Sequence, residues 1–282
     1  MTGRVFGRRT GAAGLLAALL LTLHACGGKD AKDRRTSGVP ADTLLIERGK
    51  AALEDKDWEE ARGYFQQLLD TNPRSALAGD ARLGVADSYF FQRGSGNIVL
   101  AIAEYRDFLT FFPNHPRADY AQFQIAFGYV KQMHSADRDQ EPTRTAVEEL
   151  EKLIELYRNS LYAEGGRKLL QDCHERLAAH EFEVGRFYLK TRRWCRGAIP
   201  RLKLVLERYP TFSRVDEVYF YLGEAHELCQ SPNEAMPYYK LVIDNHPDSE
   251  LRARAEERLN DLQKKNASEP QKGPIPPTGI FK

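Results

Sequence analysis

Several short groups of residues have the side-chain types that hydrolases and metal sites use, but none has the spacing. His174-Glu175 and His180-Glu181 each lack a second histidine four residues further on, and a zinc-protease helix needs that histidine to bind its metal from one face. The adjacent pair Cys173-His174 also lacks metal-ligand spacing, which favours a packed cysteine beside a surface histidine. These residues predict neither a metal site nor a nucleophile with a base.

Two further groups have the composition of ligand-binding loops without their pattern. Gly94-Ser95-Gly96 has no preceding strand and no P-loop lysine, so it is typical of a turn between helices. Asp137, Asp139 and Glu141 do not follow the twelve-residue ligand pattern of a calcium loop, and they favour capping of a helix that begins near Thr143. The sequence therefore predicts no enzyme activity, no cofactor and no metal.

Cys26 is the residue whose surroundings do predict covalent chemistry. Arg4, Arg8 and Arg9 precede an apolar run over residues 12–23 that is too short to remain in a bilayer as a spanning helix. The run ends in Leu23-His24-Ala25-Cys26-Gly27, which resembles a bacterial lipobox. The resemblance implies that residues 1–25 are removed and that Cys26 is the lipid attachment site, with Gly27 favouring the outer membrane. The alternative is an ordinary secretory peptide with a coincidental cysteine.

Composition excludes one large class of partner. The chain has 282 residues with 42% hydrophobic and 10% aromatic content, enough for a sizeable core. Its formal charge is +1, and loss of three arginines with residues 1–25 makes it about −2. A chain without an excess of basic residues lacks the electrostatic footprint of a nucleic-acid-binding protein, so we expect no nucleic-acid partner.

Three cysteines remain if Cys26 carries lipid, and in an oxidising compartment an odd number leaves at least one thiol unpaired within the chain. Cys195 and Cys229 lie 15 and 18 residues before Pro210 and Pro247, in turns between paired helices of consecutive repeats. A disulfide is one interpretation, if the Cα atoms come within about 7 Å. Two independent small apolar side chains are the other, and the sequence slightly favours them.

A repeat organises the part of the chain between a polar tether, residues 26–41, and a proline-rich tail, residues 264–282, for which we predict disorder. In each repeat one residue ends a helix. Apolar or small residues lie at fixed offsets of −12, −5, −4 and +8 from that residue. The helix-ending residues are Pro73, Pro113, Arg158, Pro210 and Pro247.

The repeat resembles the tetratricopeptide repeat, whose period is about 34 residues. It predicts an all-α fold over residues 42–263, an α-solenoid of about five tetratricopeptide-like helix pairs with a concave groove. The intervals between the anchors exceed this period, so we expect lengthened helices and loops in the middle. A single helix from about Leu161 to Lys190 is expected to join the third and fourth repeats.

Several stretches resemble one particular family, the BamD lipoproteins of the outer-membrane β-barrel assembly machinery, over roughly Thr43 to Leu259. They are Phe111 to Pro116 (FFPNHP), Asp137 to Gln140 (DRDQ), Leu177 to Tyr188 (LAAHEFEVGRFY), Trp194, and Leu206 to Pro210 (LERYP). Two departures are Arg158 in place of the usual proline after Tyr157 and the three additional cysteines.

The resemblance implies a periplasmic scaffold, anchored by lipid to the inner surface of the outer membrane. Its C-terminal repeats would dock on the POTRA domains of a BamA-like barrel-forming subunit. Its N-terminal repeats would receive the C-terminal signal segment of unfolded outer-membrane proteins. A groove suits that role because an extended segment can bind and leave without chemistry.

The family's docking surface includes an arginine on the second helix of the fourth repeat. Counting back nine residues from Pro210 gives Arg201, whereas counting forward from the preceding tryptophan gives Pro200, which has no side chain that pairs with a carboxylate. Arg196 on the same arginine-rich face is a second candidate. Because Leu202 takes the core position, we expect Arg201 to point away from its partner helix. The alternative is a solvated arginine with no partner.

Two other functions are compatible with the sequence. A generic periplasmic tetratricopeptide adaptor lipoprotein of another envelope complex would share the repeats and the anchor, and only the family-specific stretches argue against it. A hydrolase with a helical accessory domain is disfavoured by the missing catalytic spacing.

Overall fold

The computed structural model describes residues 40–268, and within that range every regular element is a helix. The predictions that fall on residues 1–39 and 269–282, including Cys26, lie outside the described residues. The helices are α1 (Ala41–Glu54), α2 (Trp58–Thr71), α3 (Ala78–Phe91), α4 (Ser95–Phe111), α5 (Ala118–Val130), α6 (Glu141–Leu156), α7 (Ala163–Lys190), α8 (Cys195–Arg208), α9 (Val215–Leu228), α10 (Pro232–Asn245) and α11 (Arg252–Ser268).

Consecutive helices pack as five pairs, α1–α2 to α9–α10, and α11 packs on α10 as one further helix. The predicted all-α solenoid of five pairs is confirmed. The predicted boundary at residue 263 is wrong, because α11 continues to Ser268. Leu259 and Leu262 anchor this helix against the core formed with α9 and α10, and its regular turns extend past Lys264 into exposed residues.

The repeat offsets correspond to the core. All five alanines at offset −12, from Ala61 to Ala235, and all five side chains at offset −5, from Leu68 to Val242, have no exposed surface. Small residues on the first helices let large ones on the second helices approach. At Gly223, for example, a Cβ atom would lie 2.6 Å from Cε1 of the buried Tyr239 ring. The periodic apolar pattern therefore builds the interior of the stack.

The helix α7 has 28 residues, twice the length of α8 or α9, which confirms the predicted long helix. Near its start, Gly166 faces Leu153 of α6, and near its end, Gly185 faces Leu202 of α8. Because each half packs on a different pair, α7 connects the first three pairs rigidly to the last two.

A long turn between α5 and α6, residues 131–140, is bound to the middle of α7. The buried Gln140 donates from Nε2 to the carbonyls of Ser135 and Arg138, and its Oε1 accepts from Thr143. Nδ1 of His180 donates to the carbonyl of Ala136 at 2.6 Å. Two of the family-like stretches thus meet here and fix the turn on α7.

Cys195 and Cys229 form a disulfide with a Cα–Cα distance of 5.7 Å. The slight preference of the sequence for two independent residues is wrong, because the fourth and fifth pairs stack so that these two turns lie side by side. Cys173 is free and fully buried, and burial raises the pKa of its thiol to about 11.

Candidate partner-binding surfaces

The first helices of the pairs lie on the inner side of the stack, because α1 contacts α3, α5 contacts α7 and α7 contacts α9. A continuous series of aromatic rings, which we call the aromatic ribbon, runs from the start of α2 across α3 and α5 to the residue before α7, and most of its rings lie on these first helices. Neighbouring ring centroids along it are 5.1–6.3 Å apart. The ribbon consists of Trp58, Phe91, Phe90, Phe127, Phe123, Tyr162 and Tyr120.

The ribbon faces solvent along part of its length. Phe91 is 50% exposed, and Phe123 and Phe127 are half-buried on α5. Tyr120, Phe123 and Phe127 follow the i, i+3, i+7 spacing that places them on one face of the helix. Nζ of Lys131 lies 5.2 Å from the centroid of the Phe127 ring. Partly exposed rings beside a cation can bind aromatic side chains, and the cation can bind a carboxylate.

A buried polar cluster contacts the ribbon through Tyr120. Oδ1 of Asp87 accepts hydrogen bonds from the hydroxyls of Tyr105 at 2.6 Å and Tyr120 at 2.7 Å, and Arg117 lies 3.6 Å from Oδ2. Desolvation by burial raises the pKa of the Asp87 carboxyl, although these donors oppose it, and burial also raises the pKa of both tyrosines. The cluster fixes the orientation of Tyr120. The sequence analysis did not single out the rings of the ribbon, because their exposure depends on packing between helices.

Arg201 on α8 does not point away from its partner helix. Nη1 of Arg201 donates to Oε2 of Glu181 on α7 at 2.7 Å. The expected orientation is wrong because Leu202 inserts against Gly185, which brings the neighbouring Arg201 Cβ close to α7 as well. The side chain is still 45% exposed, so the guanidinium remains accessible beside its carboxylate.

Arg196 lies five residues before Arg201, which separates the two side chains by about 140° around the helix. The structure therefore does not bring them together. Arg196 is exposed beside the turn between α7 and α8, where Trp194 is 52% and Phe187 45% exposed. The guanidinium of Arg192 lies 5.4 Å from the centroid of the Phe187 ring. We call this basic and aromatic surface the α7–α8 turn.

Metal-ligating side chains do not cluster in the part of the chain that the structure describes. Among residues 40–268 there is no group of three or more His, Cys, Asp and Glu side chains placed to hold a metal ion. None of the described helices combines the length and the apolar character that crossing a membrane requires.

The fold defines the class of protein as a tetratricopeptide-type α-solenoid, and its described part carries exposed aromatic and basic surfaces. Residues 41–241 match the model of the YfiO family, described as an outer membrane lipoprotein, and the chain belongs to this family. Relatives named outer membrane protein assembly factor BamD include one from Caulobacter vibrioides, 30% identical over 91% of this chain and 84% of the relative. Another, from Rickettsia prowazekii, is 28% identical over 83% of this chain and 92% of the relative.

Two solved structures are also similar. The TPR2AB domain of yeast Sti1 in complex with pHSP90 covers 80% of this chain and 84% of its own, at 14% identity and a TM-score of 0.42. A thermophilic TPR protein of Thermus thermophilus covers 78% of this chain and 99% of its own, at 16% identity and a TM-score of 0.34.

Proposed function

We propose that this chain is an outer-membrane lipoprotein scaffold of the β-barrel assembly complex, and that it helps to insert and assemble outer-membrane proteins. Membership of the YfiO family supports the complex in which it works. The observation that carries the proposed mechanism is the aromatic ribbon, which runs from the start of α2 across α3 and α5 to the residue before α7. The proposed activity is binding alone. It involves no catalysis, no cofactor and no nucleic acid.

The ribbon is proposed to receive the C-terminal segments of unfolded outer-membrane proteins. An extended segment presents alternate side chains to one face, so aromatic residues on a client can contact successive rings of the ribbon. Stacking of aromatic pairs contributes about 0.5–1.5 kcal/mol beyond area burial. A few such contacts give a modest affinity, which suits a scaffold that must pass its client on.

The C-terminal pairs are proposed to dock on the POTRA domains of the barrel-forming, BamA-like subunit. Arg201 is half-exposed and already aligned beside Glu181, so a partner carboxylate could join or replace that ion pair. Arg196 and the exposed Trp194 of the α7–α8 turn would form a second contact. Tryptophan and arginine are enriched among the residues that dominate protein interfaces.

Cys26 is proposed to carry the lipid that holds the scaffold on the periplasmic face of the outer membrane. The ordered basic, apolar and lipobox segments of the sequence support this proposal. Several acyl chains give firm anchoring, because each buried CH₂ group contributes about 0.8 kcal/mol. Mass spectrometry of the mature N-terminus should show an acylated Cys26, and an intact, unmodified N-terminus would contradict the anchor.

Peptide binding tests the client site. A fluorescent peptide with the C-terminal segment of an outer-membrane β-barrel protein is titrated with the parent chain and with Phe91→Ser, which removes a 50% exposed ring of the ribbon. We expect affinity to fall roughly tenfold, the effect of losing one aromatic contact. The matched control is Phe187→Ser, which removes a 45% exposed ring outside the ribbon. Equal affinities for the two variants would refute the assignment.

A further inference from the structure

One edge of the first three helix pairs, which we call the turn edge, contains the start of α1 and the turns that follow α2, α4 and α6. Two hydrogen bonds connect neighbouring segments of this edge. Nδ2 of Asn72 donates to Oδ2 of Asp42 at 2.8 Å, and Oγ of Ser160 donates to Oδ2 of Asp119 at 2.7 Å. The point at which the tether joins the solenoid therefore lies on the same edge as the turns.

The turn edge carries the most exposed large apolar side chains of residues 40–268. Phe111 is 63% exposed, Leu156 68% and Leu161 94%. Phe111 and Leu156 are the last residues of α4 and α6, and Leu161 lies in the next turn. Single exposed apolar residues are ordinary on a protein surface, but these three are concentrated on two neighbouring turns.

Packing within the solenoid does not require apolar residues at these positions. The helices α2, α8 and α10 end at the equivalent positions in Thr71, Arg208 and Asn245, which are all polar. The repeat therefore tolerates a polar residue at the end of each second helix. The guanidinium of Arg82 lies 5.1 Å from the centroid of the Phe111 ring, but most of that side chain stays exposed. Apolar residues in the second and third pairs therefore point to a contact outside the chain.

The surroundings of the apolar side chains are polar and carry both signs of charge. A surface depression of about 620 Å³ between the two turns is lined by Asn114, Asn159 and Arg158, and also by Asp119 and Glu155. Arg158 is exposed at the edge of the depression, and Arg74 is exposed on the turn that follows α2. Amides and a guanidinium bind phosphate oxygens, and carboxylates bind ammonium groups, so the depression fits a zwitterionic phospholipid headgroup such as phosphatidylethanolamine.

We propose that the turn edge lies on the surface of the lipid bilayer, with Phe111, Leu156 and Leu161 at the boundary between headgroups and acyl chains. The proposal rests on the lipid anchor proposed at Cys26. The 14 residues between Cys26 and Ala41 span at most about 50 Å, so an anchored chain keeps the turn edge close to the membrane. At such a high effective concentration, a contact of a few apolar side chains and an arginine becomes populated.

Fluorescent labelling of the full-length, lipidated protein tests this contact. Leu161→Cys and, as the matched control, Val99→Cys on α4 are labelled with an environment-sensitive maleimide dye. Val99 is also apolar and exposed, at 56%. Each protein is reconstituted into vesicles of phosphatidylethanolamine and phosphatidylglycerol, with and without a spin-labelled quencher lipid. Leu156→Cys repeats the measurement at an independent position, and circular dichroism checks that each variant is folded.

Native thiols do not compete, because Cys173 is buried, Cys195 is bonded to Cys229, and an acylated Cys26 has no free thiol. We expect a blue shift and quenching for the label at position 161 and neither for that at 99. No change at 156 and 161, equal changes at 99 and 161, or a shift at 161 that requires the barrel-forming subunit would each overturn the proposal. Dye incorporation into the parent protein would instead reveal an unmodified Cys26, and so report separately on the anchor.

Discussion

Removal of the disulfide between Cys195 and Cys229 should destabilise the C-terminal pairs strongly. The bond joins residues 34 apart in the sequence, and the segment between them contains α8 and α9. For a loop of this length, the loss of loop-closure entropy in the unfolded chain corresponds to about 3–4 kcal/mol of stability. In a protein of this size, that difference lowers the melting temperature by roughly 10 °C.

The assay compares urea and thermal unfolding of the parent with that of the double variant Cys195→Ser/Cys229→Ser, followed by circular dichroism. A reductant should lower the stability of the parent to that of the variant and leave the variant unchanged. Thiol titration in denaturant should find two more thiols per parent chain after reduction than before. The helical content of the folded variant should match that of the parent, because the core residues of both pairs remain.

An unfolding free energy within about 0.5 kcal/mol of the parent value, which is the usual range for a neutral surface substitution, would refute this reasoning. It would mean that residual contacts between the α8 and α9 segments already hold the two turns together in the unfolded ensemble. Equal thiol counts before and after reduction would refute the bond itself.

Three further predictions concern single residues. Gly223→Ala should destabilise the protein by roughly 1–3 kcal/mol because the new methyl group overlaps the Tyr239 ring. Gly63→Ala, at a helix position with open space around it, should stabilise the protein by about 0.5–1 kcal/mol. Equal urea midpoints for the two variants would contradict the packing argument. Burial raises the folded-state pKa of Asp87 above its unfolded value of 3.8, so the contribution of this carboxyl to stability is lost as pH rises through the folded-state pKa. Asp87→Asn keeps an acceptor for both tyrosine hydroxyls and does not titrate. The unfolding free energy of this variant relative to the parent should therefore rise from pH 4 to pH 7. Arg201→Glu should weaken binding of purified barrel-forming subunit at low salt with unchanged helical content, and unaltered affinity would remove this residue from the interface.

The amino-acid sequence predicted the fold well because its information lies in offsets along single helices. Positions −12 and −5 from each anchor, such as Ala61 and Leu68, are buried as the periodicity requires. The end of α11 was harder to predict, because the polar residues from Lys264 to Ser268 have neither a core position nor a proline to mark where the helix stops.

The candidate site was less predictable because it depends on contacts between distant residues. The orientation of Arg201 follows from the insertion of Leu202 against Gly185 on another helix, which offsets along one helix do not encode. The disulfide depends on the stacking of two turns. The exposed edges of Phe123 and Phe127 depend on the packing around α5, whereas the sequence shows only aromatic residues at core-like spacing.

Affinity capture from solubilised outer membranes, with identification of the bound proteins by mass spectrometry, tests the central claim most directly. The tagged, full-length chain should retain a barrel-forming subunit with POTRA domains as a major partner, and unfolded outer-membrane proteins in smaller amounts. Recovery of another envelope complex without any barrel-forming subunit would contradict the proposed function.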